Sequence, residues 1–262
     1  MHKRRRYRPD GNKQITLKIT TAQYLALGFR ALLFYFGLML IVIVLGVISC
    51  LIWRLPLGER QKVATKGNRG IMVWLRLICG VKVSVTGLEN VPNGPCVILS
   101  NHQSAWESFY FQWLFRPVSF VLKRELFWIP FFGWSLATMA PIGIRRSHPA
   151  GAIRQVFRLG QERLSKGLKV VIFPEGTRNP DGQLGAFKTG GAALAKLSGV
   201  PILPISHNAG AHWPATTWLK YSGTVQVTIG PAIDSSLDNA RSLTDTVRSW
   251  IASSLVNNTP KP

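Results

Sequence analysis

Two short motifs hold the side chains of this sequence whose types and spacing could carry out a reaction. The first, Asn101–Glu107 (NHQSAWE), places a histidine, His102, five residues before a carboxylate, Glu107. The second, Phe173–Arg178 (FPEGTR), joins an acid and a glycine to Arg178. A histidine beside a carboxylate can act as a general base, and an arginine can bind a phosphate through two N–H groups. These parts suit acyl transfer onto the hydroxyl of an anionic acceptor.

The histidine motif has two interpretations. His102 follows an apolar stretch that predicts a strand, and Glu107 would lie in the first turn of the next helix. Across such a turn the carboxylate could reach back to the imidazole, fix its tautomer and stabilise its protonated form. Alternatively, Ser104 caps the helix and Glu107 completes a capping box, which leaves His102 as an ordinary loop residue.

The second motif, Phe173–Arg178, is called here the glycine motif. It follows an apolar strand, the position at which parallel sheets place their ligand sites. Gly176 allows a sharp turn, while Thr177 and Arg178 offer hydrogen-bond donors to phosphate oxygens. A strand-ending turn with a surface salt bridge would account for the same residues.

Further basic residues follow short strands or begin a helix, where free backbone N–H groups attract anions. They could converge with Arg178 on one anionic group, or simply form a solvated basic surface. These residues are Lys123, Arg124, Arg145, Arg146 and Lys188.

The composition is strongly basic and apolar at once. The chain has 32 Lys and Arg against 11 Asp and Glu, which gives a formal net charge of +21. Such a charge requires an anionic partner: nucleic acid, acidic lipid headgroups or phosphorylated metabolites. The basic residues accompany 9 Trp, 13 Phe and a mean hydropathy of +0.14, a combination that favours a membrane surface over nucleic acid. The three cysteines lack metal-ligand or redox spacing, so neither a zinc site nor a disulfide framework is expected.

An uncharged apolar run extends from Ala31 to Trp53, between Arg30 and Arg54. It is long enough to cross a bilayer, which takes about 20 residues. A cleaved signal peptide is the alternative, although its apolar core would be shorter and nearer the N terminus. Both flanks are basic, and the positive-inside rule places both on the cytoplasmic side. A single straight span cannot satisfy that rule, so a re-entrant hairpin in one leaflet competes with a transmembrane helix.

The segments on either side of this run are also expected to meet the membrane. Residues Met1 to Lys18 are basic and polar without periodicity, which predicts a disordered arm on anionic lipid or an ordinary solvated tail. After the run, apolar residues recur at helical spacing and predict an amphipathic helix in the headgroup layer, or alternatively a core helix of the following domain. These residues are Ile71, Trp74, Leu75 and Ile78.

From Val81 onward, short apolar strands alternate with helical segments. Strands are predicted at Val81–Val85, Cys96–Ser100, Val118–Leu122, Ile142–Ile144, Leu168–Phe173, Ile202–Ser206 and Val225–Ile229. Helices are predicted from about Ala105, and at Pro130–Thr138, Pro149–Lys166, Gly190–Leu197 and Ala240–Leu255. Such alternation predicts an α/β sandwich with a largely parallel sheet. The chain then divides into a basic arm (1–30), a membrane helix with an amphipathic helix (31–80) and a catalytic domain (81–262).

The order and spacing of these motifs resemble the glycerolipid acyltransferase family, and within it the 1-acylglycerol-3-phosphate acyltransferases. The family's first block is a histidine followed five positions later by an acid, matched by His102 and Glu107, and its third block is matched by Phe173–Arg178. Its second and fourth blocks are matched by Lys123, Leu126, Pro130, Gly133 and Arg146, and by Val200–Pro204. The resemblance covers about Val81 to Ser206, and the N-terminal helices resemble the family's membrane-embedding two-helix module.

Two residues depart from the family's pattern. The family usually has aspartate where this chain has Glu107, a longer acid that keeps the chemistry but needs a different backbone placement. Arg145 stands where an aspartate commonly precedes the arginine of the second block, which makes the site more basic.

The resemblance implies transfer of a fatty acyl group from acyl-CoA or acyl carrier protein to the 2-hydroxyl of lysophosphatidate, which gives phosphatidate. His102 would be the base and Glu107 its partner. Other residues would bind or position the acceptor: Lys123, Arg146, Glu175, Gly176, Thr177, Arg178 and Lys188. No metal or cofactor is expected, because the thioester is already activated.

The resemblance also implies a location and a set of partners. We expect a bacterial inner-membrane enzyme with its catalytic domain on the cytoplasmic face, in contact with anionic lipids and not with nucleic acid. Two alternatives are an acyltransferase of the same fold acting on another lysolipid, and a non-catalytic, membrane-tethered basic protein. The second alternative leaves the four ordered blocks unexplained.

Overall fold

A computed structural model of the chain describes residues 2–6, 15–145, 147–179 and 183–257. Two long helices precede a sheet that is covered by helices on both faces. In chain order the elements are β1 (His2–Arg6), β2 (Ile15–Ile19), α1 (Thr21–Leu51), α2 (Leu57–Cys79), β3 (Val81–Thr86), β4 (Val97–Ser100), α3 (Trp106–Leu114), β5 (Val118–Lys123), α4 (Phe132–Ala137), β6 (Ile142–Ile144), α5 (Pro149–Ser165), β7 (Lys169–Ile172), α6 (Gly190–Ser198), β8 (Ile202–His207), β9 (Gly223–Ile229) and α7 (Ala240–Asn257). Short 3-10 turns lie at Leu88–Asn90, Arg124–Trp128 and Ala209–Ala211.

The central sheet has seven strands in the order β3-β9-β8-β4-β7-β5-β6. All neighbours pair in parallel except β8 and β9, so β3 and β9 run opposite to the other five. The central strands β4, β7 and β8 are buried throughout, as expected for parallel strands covered on both faces. Helices α1, α2 and α3 contribute to the core on one face, and α5, α6 and α7 to the core on the other. The predicted α/β sandwich with a largely parallel sheet is confirmed.

The strands and helices predicted after Val81 are all found, with ends that shift by no more than two residues. Their buried faces could be identified because continuous apolar runs mark parallel strands and a period near 3.6 marks helices.

The predicted membrane helix is longer at its start than the apolar run indicates. It begins at Thr21 rather than Ala31 and ends at Leu51 rather than Trp53. A capping box starts it: Gln23 N donates to Thr20 Oγ1 at 3.3 Å, and Thr20 N donates to Gln23 Oε1 at 3.0 Å. This box could have been found in the sequence, since Thr followed by Gln three residues later is its signature. Among the helices that the structure describes, α1 is the one long and apolar enough to cross a membrane.

The prediction of a disordered arm is wrong for residues 2–6 and 15–19. These two segments form strands β1 and β2, which pair with each other in antiparallel register. Pairing satisfies backbone N–H and C=O groups that neither segment could satisfy alone. The β-branched residues Ile15, Thr16 and Ile19 favour a strand. The rest of the predicted arm before β2, residues 1 and 7–14, lies outside the described residues.

Helices α1 and α2 form an antiparallel pair that packs closely at two glycines. Trp74 of α2 donates from Nε1 to Phe34 O of α1 at 3.2 Å. A Cβ at Gly37 would lie 2.2 Å from Trp74 Nε1, and a Cβ at Gly67 would lie 2.2 Å from Leu45 Cδ1. Each helix therefore receives a large side chain of the other at a position where only glycine leaves room.

The apolar face of α2 packs inside the protein and not against lipid headgroups. Ile71 and Leu75 are each 1% exposed and belong to the core of the catalytic domain. Gln61 joins the same helix to strand β5, because its amide donates to Val118 O at 2.9 Å and accepts from Val118 N at 3.0 Å. The prediction of an interfacial helix is therefore wrong for this face, and the core-helix alternative is confirmed. Helical periodicity shows that a face is buried but not what buries it.

Helix α1 lies along the side of the catalytic domain instead of projecting from it. Near its start, a Cβ at Gly28 would lie 3.3 Å from the Trp218 ring. Near its end, a Cβ at Gly46 would lie 2.5 Å from Phe131 Cα. At 1.5 Å per residue these contacts are about 27 Å apart along the helix. Helix α1 also exposes large apolar side chains: Leu25, Phe29, Leu32, Phe36, Met39, Leu40, Val44, Val47 and Leu51.

The close packing of Trp74 on Gly37 predicts that two glycine-to-alanine substitutions have opposite effects on stability. Gly37→Ala should lower the stability by about 1–3 kcal/mol, the usual cost of overpacking. Gly70→Ala on α2 is the matched control, because a Cβ there meets nothing within 4 Å. It should raise the stability by up to about 1 kcal/mol through helix propensity. Thermal unfolding of both variants in detergent measures the difference. An unfolding temperature of Gly37→Ala at or above that of the wild type would contradict the described contact.

Candidate active site

The parallel strands of the sheet end at one edge, and the predicted site residues collect there. His102 follows β4, the glycine motif follows β7, and Lys123 is the last residue of β5. Because parallel strands present their carboxyl ends on the same side, residues far apart in sequence meet at this edge.

Glu107 binds the imidazole of His102 and the backbone of the turn between them. Its Oε1 lies 2.7 Å from His102 Nδ1 and accepts hydrogen bonds from Gln103 N at 2.9 Å and Ser104 N at 2.8 Å. The side chain is fully buried. The bond from Ser104 N is one half of the predicted capping box, but the other half is not formed, because Ser104 Oγ accepts from Trp106 N. The bond from His102 to Glu107 is the contact that the general-base interpretation requires.

The electrostatics of the pair define which nitrogen of His102 can act as a base. Burial alone would raise the pKa of Glu107, but nearby His207 and the hydrogen bonds from His102 and Ser104 hold that pKa below its ordinary value. An ionised carboxylate can only accept hydrogen bonds, so Nδ1 of His102 carries a proton. Nε2 of His102 has no hydrogen-bond partner within the described part of the chain. Since His102 lines a large cavity, this free nitrogen is available to a substrate hydroxyl.

The imidazole of His102 is also held by an aromatic ring. Phe173 stacks on it with ring centroids 4.1 Å apart and an interplanar angle of 13°. The carboxylate contacts the edge of the imidazole and the phenyl ring covers a face. The orientation of His102 is therefore fixed in two directions before a substrate binds.

The peptide unit that joins Asn101 to His102 is held at both of its polar groups. Its N–H donates to Glu175 Oε1 at 2.8 Å, and its C=O lies 2.9 Å from His207 Nε2. Ala209 N donates to His207 Nδ1 at 3.3 Å, so Nε2 of His207 carries the proton and donates to the C=O. Burial is the main cause that lowers the pKa of His207 below its ordinary value. The backbone before the candidate base His102 is thus held from opposite sides by two buried side chains.

Glu175, which the sequence assigns to the acceptor, faces the protein interior. Besides the His102 N–H, its carboxylate accepts hydrogen bonds from Gly185 N at 2.9 Å and from the side-chain amide of Asn179. Asn179 N in turn donates to His102 O at 2.8 Å. Through these contacts Glu175 ties the histidine loop to the loop that follows β7, so it can act on an acceptor only through those loops.

A cavity of about 1060 Å³ brings His102 together with most of the predicted binding residues. Those residues are Lys123, Gly176, Thr177, Arg178 and Lys188. Gly176 adopts a positive φ of 72°, and a Cβ there would lie 3.2 Å from Lys188 Nζ. None of the three cations pairs with a carboxylate of the described residues. Arg146 lies outside the described residues, so its predicted role stays a prediction.

The walls of the cavity away from these cations are mostly apolar. Val42 and Leu45 of α1 and Ile71 of α2 line one side, and Ile153 and Phe157 of α5 line another. The cavity therefore joins a region lined by His102 and three cationic side chains to apolar space that reaches the N-terminal helices. Such a combination fits a ligand with a charged headgroup and a long hydrocarbon chain.

Sequence reasoning missed Asn101 and His207 and assigned no role to the ring of Phe173. Asn101 accepts from His207 N at 3.0 Å and donates to His207 O at 2.8 Å, so the two residues bind each other through backbone and side chain. A signal for His207 was present, because it ends a strand that is parallel to β4 and so lies at the same edge of the sheet. No local pattern relates it to Asn101, which is 106 residues away.

Comparisons with known proteins agree with this geometry. A family model described as acyltransferase matches residues 82–208. A 1-acyl-sn-glycerol-3-phosphate acyltransferase of Pseudomonas aeruginosa is 45% identical over 238 residues, which cover 89% of this chain and 93% of that protein. The human 1-acyl-sn-glycerol-3-phosphate acyltransferase alpha is 30% identical over 227 residues, which cover 84% of this chain and 78% of that protein.

A solved structure shares the whole architecture. The crystal structure of the 1-acyl-sn-glycerophosphate (LPA) acyltransferase PlsC from Thermotoga maritima matches with a TM-score of 0.75 at 25% identity, over 89% of this chain and 97% of that chain. The fold, the paired His102 and Glu107 and the match along nearly the full length of the Pseudomonas protein lead to one conclusion: this chain is an enzyme of the 1-acyl-sn-glycerol-3-phosphate acyltransferase family.

Proposed function

We propose that this enzyme transfers a fatty acyl group from an acyl thioester to the 2-hydroxyl of lysophosphatidate and so forms phosphatidate. The observation that carries the proposal is one cavity lined by His102, by apolar walls and by three cations that no carboxylate of the described residues neutralises. The relatives with matching length are named for this acceptor, which supports the same acceptor here.

The chemical step begins with proton transfer to His102. Nε2 takes the proton of the 2-hydroxyl while the hydroxyl oxygen attacks the thioester carbonyl carbon, and the C–O bond forms. As the C–S bond breaks, the thiolate leaves and the imidazolium returns the proton to sulfur. Glu107 stabilises the imidazolium between these two transfers, because its carboxylate is ionised and bonded to Nδ1.

The reaction proposed here uses neither a metal nor a bound cofactor. A thioester is already activated towards attack by a hydroxyl, so one positioned base is enough to start the transfer. Among the described residues, no group of three or more His, Cys, Asp or Glu is placed to hold a metal ion. The acyl donor is a substrate, either acyl-CoA or acyl carrier protein.

The phosphate of the acceptor binds to Lys123, Arg178 and Lys188 in this proposal. These side chains line the same cavity as His102, and none is neutralised by a carboxylate of the described residues. The helix α6 begins next to Lys188, and its free backbone N–H groups add positive potential. Arg146 is proposed as a further phosphate ligand from the sequence motif.

We further propose that α1 lies within one leaflet and does not cross the bilayer. The catalytic domain covers one face of α1 between Gly28 and Gly46, about 27 Å along the helix. The hydrocarbon core is only about 30 Å thick, so a crossing helix would pull the catalytic domain into it. The exposed apolar face of α1 would contact lipid, and the basic flanks support the cytoplasmic side of a bacterial inner membrane.

Removal of the base should abolish the reaction without unfolding the protein. His102→Ala is expected to lower kcat by about 10²–10⁴-fold, the usual contribution of general-base catalysis. The measurement is acyl transfer to lysophosphatidate by purified protein in detergent, with acyl-CoA and with acyl carrier protein donors. Thermal unfolding serves as the folding control. Full activity in the folded variant would refute the mechanism, and an inert wild type with both donors would refute the acceptor.

Replacement of the Glu107 carboxylate by an amide should separate its role in positioning His102 from the role of its negative charge. Glu107→Gln keeps an oxygen that can accept from His102, Gln103 and Ser104, but it removes the negative charge that stabilises the imidazolium. We expect kcat to fall by about 10²–10⁴-fold while KM for lysophosphatidate changes little. Steady-state kinetics measure both constants. A rise in KM at unchanged kcat would place Glu107 in substrate binding instead.

Loss of a phosphate ligand should affect acceptor binding. Arg178→Ala and Lys188→Ala are each expected to raise KM for lysophosphatidate by about tenfold or more, since a hydrogen bond to a charged group contributes about 1.5–3 kcal/mol. Lys82→Ala is the matched control, because Lys82 is an exposed lysine on the edge strand β3 and does not line the cavity. Equal effects of all three substitutions would indicate a general loss of charge and contradict a phosphate site. A panel of other lysolipids with the wild type tests the choice of headgroup.

A further inference from the structure

The segment between β5 and β6 exposes three large apolar side chains. This segment, Arg124–Ala137, is named here the portal segment, and it consists of a 3-10 turn, a tight turn and the short helix α4. Trp128 is 80% exposed, Ile129 46% and Trp134 45%. Apolar residues grouped in this way on a surface indicate an interaction site, whereas single ones are common anywhere.

The inner side of the portal segment is part of the active-site cavity. Leu126, Phe132 and Leu136 line the same cavity as His102. Residues that face the cavity therefore alternate along the segment with residues that face outward. The segment is a thin wall between the reaction site and the exterior, and both of its surfaces are apolar.

The portal segment adjoins the lipid-facing helix α1. Phe131 packs against Gly46 of α1, and its ring lies 4.8 Å from that of Trp134. Phe131 has a φ of 60°, and Phe132 N donates to Pro130 O at 2.6 Å, which closes a tight three-residue turn. Non-glycine residues keep such a conformation only where their surroundings hold it. The exposed patch is thus fixed next to the apolar face of α1 and extends it.

The start of the portal segment has the charge that anionic headgroups attract. Lys123 and Arg124 are exposed there, and Glu125 is the single acid of the segment. Tryptophans are enriched at the boundary between headgroups and hydrocarbon, and lysines and arginines near a membrane bind anionic lipid. The segment therefore offers cations to headgroups and exposed tryptophans to the boundary with the acyl chains.

We propose that the portal segment inserts into the same leaflet as α1 and that the acyl chain of the lysolipid passes along it from the bilayer into the cavity. Trp128, Ile129 and Trp134 contact lipid, while Leu126, Phe132 and Leu136 receive the chain on the inner side. The chain then never crosses water between the two apolar surfaces. This inference rests on the proposed function, since it assigns an entry route to the acceptor of that reaction.

Site-specific fluorescence tests the insertion directly. An environment-sensitive thiol probe is attached to Trp128→Cys in the full chain carrying Cys50→Ser, in vesicles that contain anionic lipid. Burial raises the pKa of Cys79 and of Cys96 to about 11, so these two thiols react slowly with the probe. We expect a blue-shifted emission that lipids with acyl-chain quenchers suppress.

A probe at Leu237→Cys is the matched control. Leu237 is 76% exposed and precedes Asp238, whose carbonyl accepts from Lys196 of α6 on the face of the sheet opposite α1. This probe should report water and resist the lipid quenchers. Water-like emission at position 128 under the same conditions would overturn the insertion.

Kinetics with two forms of the acceptor test the entry route. The double variant Trp128→Ser/Trp134→Ser should lose about tenfold in kcat/KM for long-chain lysophosphatidate in vesicles, the change that about 1.4 kcal/mol produces. With a short-chain, water-soluble lysophosphatidate it should equal the wild type within about twofold, because neither tryptophan lines the cavity.

The outcomes separate this inference from the proposed function. An equal loss with both forms of the acceptor, or no loss with either, would overturn the entry route while the wild type still catalyses the reaction. A wild type inert with both forms would instead refute the proposed function. Leu237→Ser provides the baseline for loss of an exposed apolar side chain.

Discussion

The bond between His102 and Glu107 is the constraint on which the rest of the site depends. One buried carboxylate oxygen holds the imidazole and two backbone N–H groups, so it defines the turn and the tautomer together. A buried charge is costly unless it is bonded, and these three bonds offset that cost. Glu175 and His207 then hold the peptide unit between Asn101 and His102 by one hydrogen bond each. The proposed base is thereby oriented before any substrate arrives, which is the condition for efficient proton transfer.

The N-terminal helices are joined to the catalytic domain by polar contacts as well as by apolar packing. Gln61 bonds to strand β5 as a neighbouring strand would. Lys220 is 1% exposed and donates to Tyr35 Oη at 2.8 Å and to Trp218 O at 2.7 Å, and its ammonium lies 5.1 Å from the centre of the Trp213 ring. Burial lowers the pKa of Lys220 to about 8. Contacts of this kind fix the exposed apolar face of α1 relative to His102, so both belong to one rigid unit.

The uneven distribution of charge has a physical role in the same arrangement. The parallel strands carry Lys123 and the glycine motif with Arg178 to one edge of the sheet, and Lys188 lies beside that motif. Repulsion between such cations would destabilise an empty site, but an anionic ligand converts it into binding energy. The excess of positive charge in the whole chain also favours anionic membrane surfaces, where both the proposed acceptor and the proposed product are found.

From the sequence alone the strands and helices after Val81 could be predicted, and candidate residues for the chemistry could be named. Apolar runs and helical periods identified the strands and helices after Val81, and the two motifs identified His102, Glu107 and Arg178. The contacts of each buried face became apparent in the folded protein. There the apolar face of α2 packs inward, and Glu175 accepts a hydrogen bond from the His102 backbone. His207 binds Asn101, which lies 106 residues earlier in the chain. The physical reason is that side-chain periodicity records whether a residue is buried, whereas its partner depends on contacts between distant segments that form only when the sheet is assembled.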